Sequence, residues 1–152
     1  MRRLTFITTL LLSSLFWVCP TRAGGDTIVV VVNKDVQSGN LDRNTLRPIF
    51  QVIKQQWANG NGVVPFNLPE DSQIRRDFDQ AVLGLSPEYV ARYWIDKKIR
   101  GDTHPPKKLP SPEAVARAVA HTPGAIGYVL ADDVTPALKV VAKIQNGKVV
   151  PP

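Results

Sequence analysis

Apolar residues along this chain follow two periodicities, and glycine, proline and helix-capping residues mark where one gives way to the other. Residues 27–33 (TIVVVVN) are an unbroken Ile/Val run, which suits a strand buried on both faces, as in a parallel sheet flanked by helices. Leu46, Ile49, Phe50, Ile53 and Trp57 then recur at helical spacing, so a helix is expected within residues 41–57. Pro48 complicates it, because proline fits only the first helical turn without removing a hydrogen bond; the helix either starts near Arg47 or is kinked. Asn59-Gly60-Asn61-Gly62 carries strong turn chemistry and leads into the next apolar run.

That run opens the stretch around which the chain is organised, residues 63–78 (VVPFNLPEDSQIRRDF). Val63, Val64 and Phe66 suit a short buried strand, and Leu68-Pro69 turns the chain. Ser72 stands where an N-cap should stand, with Ile74, Phe78, Ala81 and Val82 forming one apolar helical face behind it. A strand, a tight loop and a helix start in that order aim free backbone N–H groups and the positive end of a helix dipole at one point, which suits an anion. The plainer reading is that Ser72 only caps its helix.

Gly84 is a natural stop for this helix. Ser86-Pro87-Glu88 and Ser111-Pro112-Glu113 each supply an N-cap, a proline at the first helical position and an acid in the first turn. The first of these helices should turn Val90, Ala91, Trp94 and Ile95 inward, the second Val115, Ala116, Val119 and Ala120. Residues 100–110 read as a loop, 125–130 (AIGYVL) and 138–144 as strands, and Asn146-Gly147 as a turn into Val149-Val150. Strands alternating with helices define an α/β chain: a single three-layer domain with a central, mostly parallel sheet of about 4–5 strands.

The first residues change the picture of compartment and charge. Arg2-Arg3, the apolar run 4–18 and the small residues Thr21 and Ala23 read as a secretory signal peptide cleaved after Ala23. Phe16-Trp17-Val18 is too bulky to make Cys19 a lipid-attachment site, so a periplasmic or secreted protein without an anchor is expected. Residues 24–152 then form one domain and hold no cysteine, which excludes disulfides, a thiol nucleophile and cysteine-bound metal. Loss of Arg2, Arg3 and Arg22 leaves 16 basic residues of the 19 against 13 acidic ones, a net charge of +3 rather than +6. Opposite charges interleave and no basic run of five occurs, so nucleic acid is not an expected partner.

Few residues offer chemistry. His121 falls in the last turn of its expected helix, where a cation favours the dipole, and His104 has no ligand partner at metal spacing. No hydrolase, metalloprotease, P-loop or dinucleotide fingerprint is present, and no catalytic residue, metal site or cofactor is expected. Trp57, Trp94, Tyr93 and Tyr128 read mostly as core by spacing, with Trp57, beside the glycine loop, the one aromatic residue placed to face a partner instead.

Together, IVVVVN, the segment from Leu41 to Phe50, the Trp before a glycine loop, VVPFNLPEDS, and TPGAIGYV after an SPE helix resemble the periplasmic phosphate-binding proteins of ABC transporters. The resemblance covers residues 27–129 and implies one lobe of the type 2 periplasmic-binding fold, whose full-length members hold the anion between two lobes. By it, residues 27–33 and the segment after Leu130 correspond to the strands that cross between lobes. The family's loop of Arg, three residues, then Ser-Gly-Thr falls on Leu68, Ser72, Gln73 and Ile74, so only the serine carries over. The resemblance thus implies phosphate or a similar oxyanion held weakly by Ser72 and the backbone of Gln73 and Ile74, with Asp71, Arg75 and Arg76 beside them. Glu70 and Asp71 oppose a dianion there, and Arg75 and Arg76 read more simply as a solvated helix face, leaving no buried arginine.

The resemblance also implies a face left open where a second lobe would attach, bordered by Asp26, Asn33, Leu68, Pro69, Gly127 and Tyr128. Leu68 and Tyr128 are its expected contact residues. The alternative to ligand binding is therefore an interaction module that keeps the fold and uses this face for an exported or membrane protein partner, or for self-association.

Overall fold

The structure is a computed structural model that describes residues 27–152; the expected signal peptide, its cleavage site and Asp26 lie outside the described residues. β1 (Ile28–Asn33) has no polar face to offer water, and all six of its residues are buried. It accordingly lies inside a sheet completed by β2 (Val64–Asn67), β3 (Lys107–Lys108), β4 (Ala125–Leu130), β5 (Leu138–Gln145) and β6 (Lys148–Val150), in the order β3-β2-β4-β1-β5-β6.

The α/β expectation holds, but the sheet is mixed rather than mostly parallel and has six strands among the described residues. β2 runs parallel to β3 and β4, whereas β1 is antiparallel to both β4 and β5, and β6 to β5. An unbroken apolar run reports burial on two faces and says nothing about the direction of its neighbours. β3 escaped notice because it consists of two exposed lysines in the expected loop; Leu109 N–H, donating to Asn67 O at 2.9 Å, helps hold it against β2. β5 and β6 turn at Asn146 and Gly147, both at positive φ (50° and 70°), the geometry that an Asn-Gly hairpin favours.

Four helices, α1 (Arg43–Phe50), α2 (Gln73–Val82), α3 (Pro87–Arg100) and α4 (Pro112–His121), cover the sheet. α1 starts earlier than Pro48 suggested, because Asp42 caps it by accepting from Thr45 N–H at 2.9 Å. Pro48 is held in its last turn, and the chain breaks away at Val52 (φ 55°). Ile53 is therefore off the helix and 61% exposed. Trp57 lies in the following loop and faces no partner: it is buried, and its Nε1–H donates to Gly124 O at 2.9 Å.

α4 packs on one face of the sheet. Gly127 permits this approach, since a Cβ there would lie 2.5 Å from Val115 Cγ1. Buried Asn33, on β1, donates to the carbonyls of Val119 and Ala120 at 2.9 and 3.0 Å, satisfying the C-terminal turn of α4. On the opposite face α1 and α2 bring Phe50 and Phe78 onto Tyr128 of β4. Phe78 stacks on Tyr128 with centroids 3.7 Å apart, and Phe50 meets Phe78 edge-on at 4.6 Å. α3 departs from its expected packing: only Val90 is buried, Trp94 is half-buried, and Ala91 and Ile95 are exposed.

Candidate functional site

The polypeptide leaves β2 at Asn67, turns through Leu68 and Pro69, and enters α2 at Ser72. Ser72 is half-buried and extended, and its Oγ accepts from Arg75 N–H at 3.4 Å, which leaves the hydroxyl proton free to donate elsewhere. Among the described residues no group accepts from the N–H of Gln73 or Ile74, as expected for the first positions of a helix. Arg76 folds back over this turn, donating from Nη1 to Asp71 O and from Nη2 to Gln73 Oε1, each at 2.8 Å. Ser72, Gln73, Ile74 and Arg76 are thus together, with Asp71 exposed beside them.

Glu70, the second opposing acid, is occupied by Lys108 Nζ at 3.1 Å. Burial pushes its carboxyl up, but a backbone hydrogen bond and Lys108 outweigh this, and it lies below its ordinary value.

Arg75 is not on a solvated face. It is 4% exposed, its Nε donates to Asp79 Oδ2 at 2.6 Å, and its Nη1 donates to Leu68 O at 2.9 Å. The guanidinium therefore ties the loop after β2 to the body of α2. Burial raises the Asp79 carboxyl above its ordinary value, against the opposing charge of Arg75. The expectation of no buried arginine fails because Arg75 and Asp79, one helical turn apart, satisfy one another on the inward side of α2.

Leu68 and Tyr128 are core residues, 1% and 0% exposed, so neither is available as a contact on an open face. Leu68 plugs the floor of the loop, and Tyr128 lies under Phe78 with its hydroxyl donating to Asn67 Oδ1. Burial raises the Tyr128 hydroxyl further above its already high ordinary value, which keeps it a proton donor. The residues expected to border one open face are dispersed. Asn33 lies at the end of β1 opposite Ile28, which pairs with Leu130, while Gly127 packs beneath α4. Asn67, Asp79 and Lys108 were missed, although the Arg75/Asp79 spacing was visible in the sequence as an i,i+4 pair.

A mixed sheet sandwiched by helices, with an open helix start at the end of β2, defines a single α/β domain. The chain belongs to the PBP superfamily domain family, whose profile matches residues 18–152. Three solved structures share its fold. An ABC-type phosphate transport receptor from Vibrio cholerae has 19% identity and a TM-score of 0.60, the match covering 78% of this chain and 46% of the receptor. A phosphate ABC transporter substrate-binding protein with bound phosphate from Clostridium perfringens has 17% identity and a TM-score of 0.63, covering 78% and 45%. PstS from Borrelia burgdorferi has 14% identity and a TM-score of 0.58, covering 78% and 47%. Each match thus spans less than half the length of the relative's chain. No curated protein matches the sequence. Among the described residues no helix is long and apolar enough to cross a membrane.

Proposed function

We propose that this chain is an exported oxyanion-binding module that holds phosphate or a similar anion weakly at the start of α2. The hydroxyl of Ser72 and the N–H groups of Gln73 and Ile74 donate to the anion, and Arg76 supplies the nearby cation. The observation that carries the reading is the capped helix start with two unpartnered N–H groups, in a fold shared with phosphate receptors. Affinity is modest because Leu68 stands where a gripping arginine would stand, and because Asp71 repels a dianion even with Glu70 taken up by Lys108. Calorimetric titration with phosphate and sulfate tests this: binding should weaken with salt, and submicromolar binding indifferent to Ser72→Ala would refute it. Export rests on the N-terminal leader, and an intact mass matching residues 24–152 would support it, whereas a lipid-modified species beginning at Cys19 would not.

A second reading is favoured by Arg75, whose guanidinium is engaged by Asp79 and Leu68 O rather than left for a ligand. In it the chain is an interaction module without a ligand, contacting an exported or membrane protein or a second copy. Leu68 and Tyr128 are excluded as its contacts, whereas Tyr89, Ile95 and Ile99 on α3 are 62%, 58% and 78% exposed. Sedimentation of the exported protein at high concentration, with and without Ile99→Asp, tests self-association.

A further inference from the structure

α3 makes a poor lid for the core, and a furrow remains between it and residues 101–108. Two adjoining clefts of about 280 and 240 Å³ open along the furrow and share Trp94, Ile95 and Pro105. An apolar cavity of about 150 Å³ accommodates benzene, so each cleft has room for one substituted ring and the pair for a fused bicycle. Both are smaller than the ~300 Å³ at which drug-sized pockets begin, which sets a low limit on ligand size.

Charge around the furrow is unevenly satisfied. At the β3 end Arg75 is paired with Asp79 and Lys108 with Glu70. At the other end Lys97 holds Asp102 at 3.4 Å, and Lys98 has no carboxylate partner among the described residues. Lys98 lies one helical turn beyond Trp94, so its ammonium and the indole border the same cleft. A flat apolar body would cover exposed Ile95 and Trp94, and an acid group would pair Lys98. A dianion would keep its second charge unpaired, because Lys97 and Lys108 are already taken by Asp102 and Glu70. A cation would face Lys98, and a neutral body would leave Lys98 partly desolvated without a partner.

We propose that the furrow between α3 and residues 101–108 binds a small organic monoanion with a flat apolar body, seated on Trp94, Ile95 and Pro105 with its acid on Lys98. The β3 end of the furrow touches Asn67, Glu70 and Arg75 of the loop before α2, but the proposed seat on Trp94, Ile95, Pro105 and Lys98 shares no residue with Ser72, Gln73, Ile74 and Arg76. The test is titration of the isotope-labelled exported protein with 2-naphthoate, with its neutral amide, and with inorganic phosphate, followed by amide and indole chemical shifts. Naphthoate should move the Trp94 indole and the amides of residues 101–104, and the amide analogue should bind about two- to fivefold more weakly. Lys98→Gln should bring naphthoate to the level of its amide, and Ile95→Asp, at an exposed position checked by thermal melting, should abolish both. Equal binding of acid and amide, no effect of Lys98→Gln, shifts centred on Tyr89 or Ile99 instead, or no shifts with naphthoate would each overturn the proposal. Phosphate shifts at Gln73 and Ile74 report on the other site, so either site can fail alone.

Discussion

Asp79→Ala is the sharpest perturbation of the loop that carries the candidate site. Asp79 is 4% exposed, as is Arg75, and the pair is closed by a 2.6 Å contact, with Leu68 O the only other acceptor within hydrogen-bond distance of the guanidinium among the described residues. Removing the carboxylate leaves a buried cation with one carbonyl, a change that costs about 3–5 kcal/mol. For a domain of this size that lowers the melting temperature by roughly 10–25 °C. Replacing both partners with apolar residues of similar size, Arg75→Met with Asp79→Leu, removes the uncompensated charge and should fall within about 2 kcal/mol of the parent. Urea unfolding of the parent, Asp79→Leu, Arg75→Met and the double variant completes the cycle and yields the coupling energy. The reasoning is refuted if Asp79→Ala costs less than about 1 kcal/mol, as an exposed pair would. It is equally refuted if the double variant loses the sum of the two single losses.

Three other outcomes follow from named contacts. Leu68→Ala should destabilise by about 2–5 kcal/mol and Leu68→Asp should melt the fold rather than merely weaken association; a folded Leu68→Asp protein would contradict its burial. Trp57→Phe removes one of the two donors to Gly124 O, which keeps Val64 N–H, and should cost about 0.5–1.5 kcal/mol by urea denaturation, with no loss counting against the bond. Asp42 lies below its ordinary value of 3.8 through its side-chain hydrogen bond and then the backbone N–H of Thr45, so its stabilisation is present above pH 3.8 and lost as pH falls through the lower folded value. Asp42→Asn should flatten that part of the stability profile; identical profiles would show that the cap carries no charge-dependent stability.

How much could be read from the sequence depended on whether a signal was local. Caps at Ser72 and Ser111, the Ile/Val run of β1 and the Asn-Gly turn are decided by residues within a few positions of one another, and each appears where expected. Strand direction was not legible, because burial on both faces is compatible with either. β3 left no trace, since its hydrogen bonds to β2 need no side-chain signature. In the candidate site the Ser72 cap was legible, whereas Arg76, read as part of a solvated face, folds back over the turn, and Leu68 and Tyr128 were misplaced. Their burial depends on the loop after β2 and α2 folding over β4, through Leu68 N–H on the Tyr128 hydroxyl and Phe78 on the Tyr128 ring, contacts between residues far apart in the chain that no periodicity reports. Arg75 was misjudged for the opposite reason: a charged residue in a first helical turn reads as solvated unless its partner at i+4 is also counted.

The most direct test of the oxyanion reading is a phosphate titration of the isotope-labelled protein followed through the amides of Gln73 and Ile74. The account predicts saturable shifts at these two positions, weakened by added salt, with Ser72→Ala reducing affinity by up to about 1.5–3 kcal/mol, the worth of one hydrogen bond to a charged ligand. Gln73 and Ile74 amides that stay still at saturating phosphate, or phosphate binding that Ser72→Ala leaves intact, would contradict it.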